Sequence, residues 1–158
     1  MTARPSPKNK LDLQIAVLVR KMPLAQASLR RIAEHVWQAE KGPAAQISLA
    51  VVGEKRMADL AQQYTGRRYR TDVLAFELSE PSETPFVGQV VVNAQRARLI
   101  AKRLSLNPQA ELALYLIHGL LHLRGYDDHS ETDAQKMHQR SKRHLQALNF
   151  NTANLSLA

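Results

Sequence analysis

The chain contains no cysteine. That removes disulfides and thiolate metal ligands together, so any metal must be held by His, Asp or Glu. Aromatic residues make up only 5%, too few for an evident base-stacking platform. No uncharged apolar run approaches the roughly 18 residues that a membrane-crossing helix needs. The opening stretch "MTARPSPKNK" lacks the apolar core of a secretory signal and reads as a frayed tail. A cytoplasmic location follows as the default expectation. Acidic residues are scarce relative to basic ones, 14 against 22, for a net charge of +8. General solubility is one reading of that excess, and a polyanionic partner, nucleic acid first, is the sharper one. The cations gather in "GRRYR" (66–70), "QRARLIAKR" (95–103) and "QRSKRH" (139–144).

What is present suggests one domain. The 158 residues suffice to bury a real core. Alternating or continuous apolar runs predict strands over 11–19, 47–53, 72–78 and 86–93,. Apolar residues at helical spacing predict helices over 23–42, 54–66, 94–106, 108–124 and 131–148,. Gly66 and Gly125 sit where helices end, and Asn107–Pro108 sits where one begins,. The order is β-α-β-α-β-β-α-α-α. It predicts an α+β fold: a four-stranded mixed sheet, about five helices, and flexible tails over 1–10 and 151–158.

The stretch "HGLLHLRGYDDHS" (118–130) carries the chemistry. His118 and His122 lie four apart, so on a helix both side chains can reach one ion. Leu116, Ile117, Leu120, Leu121 and Leu123 surround them and make this a core helix. Two buried histidines could also be plain hydrogen-bonded core residues. Gly125 shifts the balance, because it lets the chain turn back with a third ligand, Asp128 or His129. H-x-x-x-H-x-x-G-x-x-[H/D] is the zinc spacing of metzincin peptidases. Those enzymes, however, carry a Glu base directly after the first His, and this chain has Gly119. Three protein ligands leave a fourth zinc position for water. An Asp in the set makes that water less acidic and admits harder ions such as Mn²⁺.

At these residues the chain resembles the YbeY family of metal-dependent endoribonucleases. The family pattern H-G-x-L-H-L-x-G-Y-D-H stands here as "HGLLHLRGYDD". "YTGRRYRTDVLAFEL" (64–78) and "VGQVVVN" (87–93) are similar to two further family segments. The resemblance implies His118 and His122 as metal ligands, with Asp128 at the third position and His129 as the alternative. The family's Met nine residues beyond its third ligand matches Met137 when Asp128 is that ligand. Family Arg and Asp positions are occupied here by Thr65 and Gln89.

The resemblance implies one bound divalent ion, Zn²⁺ first. It implies cleavage of single-stranded RNA in rRNA processing at the 16S 3′ end, with the small ribosomal subunit as partner. Neither DNA nor membrane is an expected partner. An RNA- or ribosome-binding assembly factor with a structural metal is the alternative, and a metzincin-like peptidase the third reading. Arg67, Arg68 and Arg70 are the candidate phosphate-binding residues. Asp127, His129 and Glu131 are base candidates, although Asp127 also suits a turn. Arg96, Arg98 and Arg103 read as a solvated helix face, and Thr71 and Asp72 as residues that order a strand entry. His35, His138 and His144 stand in no ligand pattern.

Overall fold

A computed structural model describes residues 10–80, 82–153 and 155. The expected tails at 1–9, 154 and 156–158 lie outside the described residues. Strands β1 (Leu11–Val17), β2 (Ala45–Val52), β3 (Val73–Glu77) and β4 (Phe86–Asn93) form one mixed sheet in the order β1-β2-β4-β3. β1, β2 and β4 run parallel, with Leu13 opposite Ile47 and Ile47 opposite Gly88. β3 is the antiparallel edge, with Val73 opposite Val92. Helices α1 (Gln26–Ala39), α2 (Glu54–Thr65), α3 (Ala94–Leu104), α4 (Pro108–Leu123) and α5 (Glu131–Ala147) complete the α+β domain. Every expected element is present, in the expected order.

Alternation along the strands divides the core. Val51, Val90 and Val92 face α1, α3 and α4. Val52 and Val91 face the other way, onto Met57 and Ala61 of α2. The residues at 116, 117, 120 and 121 of α4 are wholly buried, and each such side chain contributes roughly 1.5–3 kcal/mol. Asn107 caps α4 by accepting from Gln109 N at 2.8 Å, with Pro108 in the first turn. No helix among the described residues is long and apolar enough to cross a membrane.

Several boundaries differ from expectation, among them those of β1 and α1. β1 ends at Val17 rather than 19. α1 begins at Gln26 rather than 23, because Leu24 turns inward as a buried core residue before the helix starts. α1 also ends early, at Ala39. Lys41 takes a left-handed φ of 54°, and Gly42 N closes back on Trp37 O at 2.8 Å. Trp37 sits so close to Gly42 that a Cβ there would fall 2.3 Å from the indole.

Candidate metal centre

His118 and His122 occupy the last turns of α4. His118 Nε2 is buried and has no hydrogen-bond partner. Leaving a buried polar atom unmade costs roughly 1–3 kcal/mol, a cost that a bound cation would remove. Burial, followed by the neighbouring His122, pushes the His118 imidazole down to about 4. It is therefore neutral near pH 7, the form in which imidazole ligates metals. His122 Nδ1 lies 3.1 Å from Tyr126 O. A carbonyl can only accept, so Nδ1 carries the proton, and in the neutral ring the lone pair is on Nε2.

The turn after α4 creates that second contact. Gly125 has φ 94°, a left-handed conformation that glycine adopts without steric cost. Gly125 N donates to His122 O at 3.0 Å and Tyr126 N to Leu121 O at 3.1 Å, the paired bonds of a Schellman ending. The reversal brings Asp128 to the cleft beside His118, a space of about 490 Å³. Asp128 also acts electrostatically on His118, favouring its charged form. Among the described residues no three His, Asp or Glu side chains are gathered closely enough to hold an ion as they stand. Asp128 is exposed on its loop, while the two imidazoles are set by the helix. By their chemistry these donors, one orphaned nitrogen, one oriented imidazole and one nearby carboxylate, suit a divalent cation, which they would hold together only once Asp128 moved in from its exposed loop.

The other candidate residues are placed differently. His129 is exposed, and its N donates to Asp127 Oδ1 at 3.2 Å. Asp127 is thus engaged in a local turn, and it lines a separate hollow with Arg124 and Lys136. Ser130 caps α5 by accepting from Asp133 N at 3.0 Å. Arg67, Arg68 and Arg70 are exposed and do not line the His118 cleft. Arg68 pairs with Asp59, and Arg70 stands 3.9 Å from Glu54, both acids of α2. Thr65 Oγ1 donates to Ala61 O at 2.5 Å and helps close α2. Thr71 O and Asp72 O accept from Asn93 at 3.2 and 2.9 Å, which orders the entry to β3. Burial holds the Asp72 carboxyl above the usual range.

Two cleft residues, Gln135 and His138, escaped the motif reading, and the base candidate Glu131 stands with them. Glu131, Gln135 and His138 line the space beside His118. They lie at i, i+4 and i+7 on α5 and share one helix face, the signal that could have found them. Met137 lines it as well and is buried. Gly119 faces away from the cleft. A Cβ there would lie 2.5 Å from Val90 Cγ1 and 3.0 Å from Val73 Cγ2. The position where a metallopeptidase carries its Glu base has no room for a side chain, which sets the peptidase reading aside.

The sequence profile of the family described as "Endoribonuclease YbeY" matches residues 14–149, almost the whole described domain. The chain belongs to the YbeY family. It is accordingly an endoribonuclease, with RNA as its substrate class. A YbeY endoribonuclease of Alkaliphilus metalliredigens is 32% identical over 77% of this chain and 79% of that protein. One from Helicobacter pylori is 36% identical over 66% of this chain and 72% of its own length. One from an Anaeromyxobacter species is 43% identical, over 59% of this chain and 49% of that protein. The solution structure of TM1509 from Thermotoga maritima superposes with a TM-score of 0.59, covering 87% of both chains at 24% identity. That likeness supports the fold alone.

Proposed function

We propose that the chain is a metal-dependent endoribonuclease for single-stranded RNA that acts in rRNA maturation. His118, His122 and Asp128 would hold one divalent ion, zinc first. The observation that carries this reading is the buried, unpartnered His118 Nε2 beside a cleft that Asp128 also lines. A divalent ion held there supplies Lewis acidity toward a phosphoryl oxygen or acidifies bound water. The chain's own residues do the rest. Tyr126 O orients His122. Glu131 and His138, on the cleft wall, are the groups placed to hold or pass a proton. Small-subunit rRNA at the 16S 3′ end is the proposed substrate, and the cytoplasm the proposed compartment.

Cleavage of a single-stranded RNA by purified protein tests the reading. It should cease with chelator and return with zinc or manganese. Cleavage that survives both chelator and His118→Ala would overturn it. A second reading has one observation in its favour. The three arginines of the 66–70 loop are directed to acids of α2 or to solvent rather than to the cleft. That arrangement suits an RNA-binding assembly factor with a structural metal. Metal-loaded protein that binds RNA tightly yet leaves it intact would favour that reading.

A further inference from the structure

β1 and β2 are parallel neighbours, and the helices that follow them leave on opposite faces of the sheet. α1 joins the core built on Val51, Val90 and Val92. α2 joins the one built on Val52, Leu74 and Val91. Divergent connections of this kind open a crevice outside the carboxyl ends of the strands, where open sheets commonly bind ligands. Here it is a groove of about 720 Å³. One wall follows β1, a second is the first turns of α2, and α3 supplies Gln95 and Arg98.

Five cations line this groove: Arg20, Lys21, Lys55, Arg56 and Arg98. All five are exposed, and none forms an ion pair among the described residues. Asp59 is the one acid in the lining, and Arg68 already pairs with it. Glu54, at the start of α2, is directed to Asn93, Arg96 and Arg70 instead. Five like charges against a single acid around one concavity focus a positive potential that concentrates polyanions,. No aromatic side chain lines the groove, so it offers phosphate contacts rather than base stacking. A concave crevice admits a phosphodiester strand, whereas a flat lipid surface cannot enter it. The groove shares no lining residue with the His118 cleft, and α2 and α4 lie on opposite faces of the sheet.

We infer that this groove is a second RNA contact, which grips the substrate backbone at a distance from the cleft beside His118. The inference rests on RNA being the substrate. It makes binding depend on length, because a short RNA cannot occupy both places.

The test is fluorescence anisotropy in chelator at several salt concentrations, with single-stranded RNAs of about 5 and about 20 nucleotides. Wild type is compared with Lys55→Gln/Arg56→Gln and with Lys142→Gln/Arg143→Gln, an exposed pair on α5 that matches the charge change. For the longer RNA the groove pair should lower the magnitude of the salt slope by roughly 1.4, at 0.7 for each lost contact. The shorter RNA should bind as it does to wild type, and the α5 pair should leave the longer RNA's slope unchanged. Equal loss in both double variants would mean that only net charge matters, and it overturns the groove. A groove pair that binds the longer RNA like wild type overturns it while leaving the nuclease reading intact. Wild type that binds neither RNA overturns both the groove and the RNA reading.

Discussion

Glu40 and Tyr126 are 86 residues apart in the chain and meet through a 3.1 Å hydrogen bond from the phenol to the carboxylate. Arg140 Nε at 2.5 Å and His144 Nε2 at 2.7 Å donate to the other oxygen of the same carboxylate. Arg124 Nη2 adds a 3.4 Å bond to Glu40 O. The end of α1, the loop after α4 and the last turns of α5 are thereby tied at one point. Tyr126 also presents the carbonyl that orients His122, so this junction braces the loop that carries Asp128.

Glu40→Ala should cost about 2–3 kcal/mol, because it leaves Arg140 and His144 without their buried partner. Tyr126→Phe should cost about 1 kcal/mol, since it removes one bond and spares the carbonyl to His122. Urea denaturation of both variants measures this. A Glu40→Ala protein within about 0.5 kcal/mol of wild type would show that the junction is only a surface contact.

The same junction predicts acid sensitivity. Burial outweighs the attraction of Glu40 and lowers the His144 imidazole from its ordinary 6.5. The unfolded chain therefore takes up a proton that the folded chain refuses, and stability falls as pH drops below about 6.5. Glu40 adds to this further down. Burial opposes its ionisation, but Arg140, His144 and Tyr126 prevail and hold it below its ordinary 4.5. Its contribution is present above about 4.5 and is lost as pH falls through the lowered value. His118 shifts in the same sense. Urea midpoints should therefore decline from pH 7 to 4 in metal-stripped protein, with a shallower decline in His144→Gln. An identical decline in that variant would remove His144 from the account.

The third ligand can be decided by substitution. His118→Ala and Asp128→Ala should each lose bound metal as measured by elemental analysis, and His129→Ala should retain it. Metal lost only in His129→Ala would exchange the roles of the two neighbours.

Gly119→Ala should destabilise the fold by about 1–3 kcal/mol through overpacking, since its Cβ would strike Val90 and Val73. Gly119→Glu should fail to fold or unfold far more readily, and it should gain no caseinolytic activity. A stable Gly119→Glu protein with zinc-dependent peptidase activity would restore the protease reading.

Loss of Arg68 or Arg70 should weaken single-stranded RNA binding without changing metal content. Each lost phosphate contact should lower the magnitude of the salt slope by roughly 0.7. Wild-type affinity and slope in the triple Ala variant of 67, 68 and 70 would make this loop a solvated turn. Its pairing with α2 would then be its whole role.

Local physics made most of the architecture legible in the sequence. Period-two and period-3.6 hydrophobicity, Asn107–Pro108 and the glycines at 66 and 125 mark where backbone hydrogen bonds begin and end. Each of those signals lies within a few residues of what it controls. His118 and His122 were legible for the same reason, since one helical turn sets their spacing. Tertiary structure alone placed His138 and Gln135 at the cleft, because that depends on how α5 packs against α4. It alone turned His144 from a residue without a pattern into the partner of Glu40, 104 residues away. It directed Arg68 and Arg70 toward acids of α2, and it gathered five cations from three separate segments into one groove. Charge and side-chain type are properties of the sequence. Which charges share a concavity is decided by how the helices leave the sheet, and no local pattern records that.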